Sequence, residues 1–448
     1  MMQYPLKEKI GNPDLLVGRE QEFNHFGKWI TNIPKELSKS RVILARRKSG
    51  KTAFVQRIFN QLWSANGRVI PFYLSIPDAP IWYATLAIRY YETFASHYIS
   101  FMERDPQLVG KPLTLEQIKA YGQAKSNIVL VEDVDYILNY KQSGDYDLVW
   151  DRVYRAPHRM AGFYDQRILV IIDEFQYLSS FVYRDELCAG QPVKAMPGSF
   201  HEVSESKVAP MLVTGSYVGW MLEIMMHYLE AGRLSQINFS PYLTEGEGLQ
   251  AVYKYAEVYD EPITNETAVQ INQLCMADPF FISCVIQSNC PERNLTQTEG
   301  VIEAVNYEIE GRRSELSGTW KEYIDNTIDR INDRHGKDLL LHLSKHNDRY
   351  WTPQELKDAL GFDMSANEIR KKLMVMVNGD LIEWGNSDID FRGLQDGTLN
   401  LVLRHRFEKE IAEFKKSPDF RVEFREKVAQ LTSEKRRWSL IGSRIQPQ

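Results

Sequence analysis

The stretch that most constrains this chain is an apolar run that breaks into a basic, glycine-closed turn and continues as an amphipathic helix. Val42-Ile43-Leu44-Ala45 leads into Arg46-Arg47-Lys48-Ser49-Gly50-Lys51-Thr52, and Phe54, Val55, Ile58, Phe59, Leu62 and Trp63 then recur at helical spacing. The order is strand, tight loop, helix. A loop that binds phosphate needs this order, because the free N–H groups at the helix start converge on an anion while Lys51 adds charge and Thr52 offers a hydroxyl to Mg2+. The general G-x-x-x-x-G-K-[ST] pattern has glycine where Ala45 stands, but Gly50-Lys51-Thr52, the part that meets phosphate, is intact. Taken alone, the stretch also reads as an ordinary basic loop opening a surface helix.

With 448 residues the chain has room for two to four domains. Apolar residues make up 43% and charged residues 25%, a balance that excludes a disordered chain. The net charge of -6 removes any global basic excess for nucleic acid and leaves only a local patch open. Cys188, Cys275, Cys284 and Cys290 form no close C-x-x-C pair, so neither zinc nor a disulfide framework is expected. No apolar run approaches the roughly 18 residues of a membrane helix. A cytoplasmic protein without an integral membrane segment is expected.

Ahead of the loop, Asn12 to Glu20 carries turn signals at Pro13 and Gly18, and Gly18-Arg19-Glu20 feeds a helix whose apolar face is Phe23, Phe26, Trp29 and Ile30. A loop at this place either lies over an adenine or simply caps the helix. Beyond the loop helix, Arg68 to Ile76 reads as a strand, Trp82 to Met102 as a buried helix, Thr114 to Ala124 as a helix, Asn139 to Asp145 as a polar loop, and Tyr146 to Phe163 as helical.

Ile168 to Ile172 are all aliphatic, which marks a strand buried on both faces in a parallel sheet. It ends in Asp173-Glu174. Alternation along the strand separates the pair, so that Asp173 orients a water on Mg2+ and Glu174 faces an attacking water as base. Ser179 to Ser206 reads as an insertion or long loop. Ala209 to Ser216 returns to a strand, where Ser216, with Thr214 second, is placed to sense a γ-phosphate or hold the lytic water; Ser216 reads equally as a helix cap. Arg233, after the helix Tyr217 to Leu229, is placed to reach a phosphate in its own subunit or a neighbour's, or to form a surface ion pair. Action across an interface implies a homo-oligomer.

From Pro262 the pattern is helical: Glu266 to Met276, Pro279 to Gln287, Thr296 to Gly311 and Trp320 to Asp333. Thr244 with Glu247, and Thr352 with Glu355, are capping boxes. A helix through Leu339 to Ser344, one opening at Pro353 with Leu356, Ala359 and Leu360 as its apolar face, and one over Ser365 to Val377 precede a strand Leu381 to Trp384 and a hairpin ending in Leu399 to Leu403, the order of a winged helix. Arg370, Lys371 and Lys372 on its second helix suit DNA. Glu355, Asp358, Glu368 and Asp388 dilute that field, so a protein partner or a packing role is equally open.

In order along residues 12 to 415, Val17-Gly18-Arg19-Glu20, Arg46-Arg47-Lys48-Ser49-Gly50-Lys51-Thr52, Asp173-Glu174-Phe175-Gln176, Thr214-Gly215-Ser216 and Gly232-Arg233 before Pro241-Tyr242-Leu243 resemble the archaeal-type prokaryotic ATPases, in the STAND branch of the AAA+ superfamily. The family's loop carries two basic residues before Gly-Lys-Thr, as Arg46-Arg47 do here. The resemblance implies an α/β P-loop NTPase parallel sheet with helices on both faces over 1–260, a helical lid over 261–335 and a winged helix over 336–415; the mixed charges beyond it read as a helical tail over 416–448. The resemblance further implies ATP and Mg2+ as ligands, with Lys51 and Thr52 on phosphate and metal, Asp173 on the metal side, Glu174 activating water and Ser216 sensing. One departure is Ala277-Asp278-Pro279, where the family's lid carries Gly-x-Pro.

Overall fold

The computed structural model describes residues 2–403 and 405, apart from Ala231, Glu292, Arg312, 332–334, 379–380, Asn386, Asp388, 395–396 and 398–399. The expected tail, 416–448, lies outside the described residues. The chain forms two units, Met1–Ser240 and Pro241–Gln448. Residues 241–260, read from sequence as part of the ATPase core, thus fall in the second unit.

In the first unit the chain runs through α1 (Glu20–Thr31), β1 (Arg41–Leu44), α2 (Lys51–Ala65), β2 (Val69–Ser75) and β3 (Ile81–Trp82). The helices α3 (Tyr83–Glu103), α4 (Gln107–Gly110), α5 (Leu115–Ala124), α6 (Ile128–Ser143), α7 (Tyr146–Tyr154) and α8 (Ala156–Phe163) follow. It closes with β4 (Arg167–Asp173), β5 (Val182–Tyr183), β6 (Met211–Gly215), α9 (Val218–Tyr228) and β7 (Ser235–Asn238). An unbroken aliphatic strand such as Ile168–Ile172 needs cover on both faces, and every residue from Ile168 to Asp173 is buried. It lies second in a five-stranded, all-parallel sheet of order β2-β4-β6-β1-β7, with α2, α3 and α8 packed on it or its neighbour.

Two helical expectations change. The polar stretch 139–143 continues α6, because nothing breaks the helix before Gly144, which takes the left-handed φ of 79° at the C-cap. Tyr146 to Phe163 is two helices, parted at Arg155 where Pro157 enters the first turn of α8. The buried carboxylate of Asp133 on α6 staples these helices together. Arg152 of α7 donates to it at 2.8 Å and Arg159 of α8 binds it through two nitrogens at 2.8 and 3.0 Å.

The second unit begins with α10 (Glu245–Val258), α11 (Asn265–Leu274), α12 (Pro279–Ile286), α13 (Thr298–Glu310) and α14 (Glu315–Ile331). Both expected capping boxes form, Thr244–Glu247 on α10 and Thr352–Glu355 on α16 (Pro353–Leu360). Between and after these lie α15 (Gly336–Lys345), α17 (Ala366–Asn378), β8 (Ile382–Trp384) and β9 (Phe391–Gly393). The hairpin exists, but its second strand is β9, antiparallel to β8, rather than 399–403. Residues 400–403 are helical instead, with Leu401 N–H donating to the Gly397 carbonyl at 3.1 Å and Val402 and Leu403 buried. No helix among the described residues is long and apolar enough to cross a membrane.

Removing Asp133 leaves two guanidiniums facing each other without their shared anion. Asp133→Ala is expected to lower unfolding stability by about 3 kcal/mol, measured by urea denaturation.

Candidate functional site

Parallel pairing puts the carboxyl ends of four strands at one edge of the sheet. Leu44 is opposite Gly215, Ile172 opposite Val213, and Ser75 opposite Asp173. Ligands of open parallel sheets bind beyond such ends, and there the chain leaves β1 into the basic loop.

That loop turns at two left-handed residues, Lys48 with φ 64° and Gly50 with φ 86°, before α2 begins at Lys51. The second is the glycine the motif retains, and its conformation disfavours a Cβ. The buried Lys51 ammonium lies inside the loop, donating to the carbonyls of Ala45 at 2.8 Å and Arg46 at 2.7 Å, with Ser49 Oγ at 3.3 Å. Ala45, Arg46 and Ser49 are buried, Arg47 is half-buried, and Lys48 and Gly50 face solvent. Arg47 also lies close enough to Tyr177 to oppose the upward push that burial and Glu174 exert on that phenol. Arg19 reaches the same place from the start of α1, preceded by Gly18 at a left-handed φ of 74°. Arg19 takes a left-handed φ of 65° at the N-cap, donates to the Ser49 carbonyl at 3.2 Å and lies 4.3 Å from the Phe239 ring centre.

The acidic pair divides because Glu174 leaves the strand rather than by alternation along it. Asp173 is fully buried and its carboxylate is ringed by donors. Thr52 Oγ1 lies at 2.9 Å and Tyr73 OH at 3.0 Å on Oδ2, while Thr214 Oγ1 and the Glu174 N–H bond to Oδ1. Glu174 leaves the strand in a left-handed turn, φ 57°, and is held by Ser216 Oγ and Gln176 Nε2, each at 2.6 Å. Gly215 sits between them for steric reasons, since a Cβ there would come within 2.3 Å of Met221 and 2.7 Å of Gln176.

Ser216 and Thr214 therefore serve different carboxylates, and the cap role left open for Ser216 is not taken: Tyr217 is the N-cap of α9 and makes no side-chain cap bond. Arg233 is not brought to this edge. It precedes β7, whose Ser235 pairs with Arg41 at the amino end of β1, so the strand's four residues, about 13 Å, separate it from the loop. Its guanidinium donates to the Glu230 carbonyl at 2.8 Å and lies 3.6 Å from Glu205.

Sequence reasoning missed Tyr73 and Gln56. The available signal was a phenol in an otherwise apolar strand, whose hydroxyl needs a partner once buried. Burial and the Asp173 charge hold the Tyr73 hydroxyl well above its ordinary pKa, so it remains a donor. As for a metal, the Thr52 hydroxyl and the Asp173 carboxylate set two hard oxygens side by side, a donor pair that suits Mg2+ completed by phosphate and water.

No protein-family model matches the sequence, and neither does any curated protein. Among solved structures, the chain is similar to the Walker-type ATPase PABY2304 of Pyrococcus abyssi, at 14% identity and a TM-score of 0.56, over 87% of this chain and 96% of that one. Aeropyrum pernix ORC2 in its ADPNP-ADP complexes matches at 15% identity and a TM-score of 0.46, over 88% and 94% of the two chains. The parallel sheet, the loop after β1 and the first of these likenesses make the fold that of a P-loop NTPase.

Proposed function

We propose that this chain is an Mg2+-dependent, ATP-hydrolysing molecular switch of the STAND type. The observation that carries the reading is the bond from Thr52, second residue of α2, to Asp173 at the end of β4, which joins the phosphate side to the acidic pair at 2.9 Å. Lys51 and the first N–H groups of α2 hold phosphate oxygens, and Arg46, Arg47, Lys48, Ser49 and Gly50 form the cradle. Gly18 and Arg19 flank it on the nucleoside side. Thr52 and Asp173 hold Mg2+, which supplies neutralising charge on the phosphate oxygens. Glu174 orients water and takes its proton, positioned by Ser216 and Gln176. Arg233, at the far end of the strands, is read as acting on a neighbouring copy's nucleotide. The setting is cytoplasmic.

In the second unit, the order α15, α16, α17, β8 and β9 supports a winged helix. Two of its arginines are engaged: Arg392 binds Glu383 at 2.7 Å and Arg349 binds Glu355 at 3.2 Å. That pairing favours a packing or protein-contact role for the wing over duplex binding. Salt-sensitive duplex affinity that drops when Arg370, Lys371 and Lys372 are neutralised together would reverse this preference.

Lys51→Ala is expected to weaken ATP binding about 10- to 100-fold in a titration with fluorescent nucleotide, the loss of a charge-assisted bond. Glu174→Gln should bind Mg-ATP within about twofold of the unaltered chain and hydrolyse it roughly 100-fold or more slowly. Unchanged turnover in that variant would refute the role assigned to Glu174.

A further inference from the structure

Residues 3–9 run along α2 and are bonded to it at regular intervals. The N–H groups of Gln3, Leu6 and Lys9 donate to Ser64 Oγ, Asn60 Oδ1 and Gln56 Oε1 at 3.0, 3.0 and 2.7 Å. These three acceptors are four residues apart, so they form one polar rail on the helix. Asn60 donates back to the Leu6 carbonyl at 2.9 Å, and the buried Glu8 carboxylate takes two bonds from Arg57, at 2.8 and 2.9 Å.

The rail does not end at the helix surface. Gln56 is buried, and its amide nitrogen donates to Tyr73 OH at 3.1 Å, while Tyr73 donates to Asp173 Oδ2 at 3.0 Å. The direction of this chain of bonds is fixed from its outer end. A backbone N–H can only donate, so Lys9 makes Gln56 Oε1 the acceptor and turns the amide nitrogen toward Tyr73. The phenol oxygen is then occupied by a donor and its own proton is committed to Asp173. Without the Lys9 N–H the amide is free to flip, and Gln56 Oε1 then competes with Asp173 for the phenol proton.

We infer that the N-terminal strap, acting through Gln56 and Tyr73, is a positioning device for the metal-side carboxylate of Asp173. The inference rests on the nucleotide reading above for the role of Asp173, although the relay itself does not. Gln56 and Tyr73 are positioning residues, and the strap is the part a partner or a modification could lift.

Lys9 allows a clean test. The Gly11 N–H donates to the Glu8 carbonyl at 3.0 Å, which places Lys9 second in a four-residue turn, where proline is favoured. Lys9→Pro keeps the turn and deletes the one N–H that orients Gln56; Lys9→Ala keeps both. Hydrogen exchange of the nucleotide-free protein is expected to quicken several-fold across residues 172–176 in Lys9→Pro and Tyr73→Phe, but not in Lys9→Ala. In the same variants the Mg2+ needed for half-maximal Mg-ATP binding should rise about tenfold for Tyr73→Phe and about threefold for Lys9→Pro, as for outer-shell partners of a metal site, with nucleotide binding in EDTA unchanged. Faster exchange confined to residues 3–15 and the outer face of α2, with the Mg2+ requirement unmoved, would make the strap mere packing and overturn the inference. If the unaltered protein binds no nucleotide, the nucleotide reading falls and the metal-side role with it, while exchange at 172–176 still decides the relay.

Discussion

A buried carboxylate governs the geometry of the first unit. Asp173 has no exposure to water, and a carboxylate in that position costs several kcal/mol unless donors surround it. It has four, drawn from β2 through Tyr73, β6 through Thr214, α2 through Thr52 and its own chain through the Glu174 N–H. A one-residue slip of β2 or β6 against β4 would turn Tyr73 or Thr214 to the opposite face of the sheet and strand the charge. Asp173 thereby locks the register of three strands. It also pins the first turn of α2, and with it the loop that ends at Thr52.

This arrangement explains what could be read from the residues alone. The loop and its helix are contiguous, as are the aliphatic strand and its acidic end, so their placement was legible from spacing. Caps were legible too, because Thr244 with Glu247 and Thr352 with Glu355 are local reciprocal bonds. The Tyr73–Asp173 and Gln56–Lys9 bonds span 100 and 47 residues, and no periodicity carries such a pairing. The division of Thr214 and Ser216 between two carboxylates depends on Glu174 entering a left-handed turn, a backbone choice without a glycine to announce it. Of the readings left open for Arg233, action within its own subunit falls away because parallel topology sends the start of β7 to the edge away from the loop. The end of the hairpin was misread because Leu399 to Leu403 is apolar enough for a strand, whereas residues 400–403 bury that surface as a helical turn.

The two carboxylates also differ in how freely they can act. An ionised carboxylate offers about four acceptor positions. Asp173 accepts from four donors of the protein, so on the proposed reading it meets Mg2+, or a water on Mg2+, only by exchanging one of them, which suits a group that holds position. Glu174 accepts one bond on each oxygen, from Ser216 and from Gln176, and is half-buried. It keeps capacity for a water on each oxygen, while the two side-chain bonds limit its rotation. Adjacent residues of the same chemical type thus take up different surroundings, one enclosed by donors and one left partly open, through their backbone conformations and neighbours.

The same reasoning separates two departures from the glycine patterns of the family this chain resembles. Ala45 replaces the first glycine of the loop, yet it is not among the residues with positive φ, so its Cβ meets no conformational penalty there. The left-handed turns of the loop are made at Lys48 and Gly50 instead. Ala277 stands where the lid pattern has glycine and does hold a left-handed φ of 54°, directly after Met276 at 55°. Such a conformation costs an alanine roughly 1–2 kcal/mol. It is sustained because Asp278 caps α12, accepting from the Phe280 and Phe281 N–H groups at 3.0 and 3.3 Å, while the Leu243 N–H donates to the Ala277 carbonyl at 2.9 Å. Loss of a pattern glycine is therefore neutral in the loop after β1 and strained in the second unit, and the sign follows from φ at each position, not from the motif.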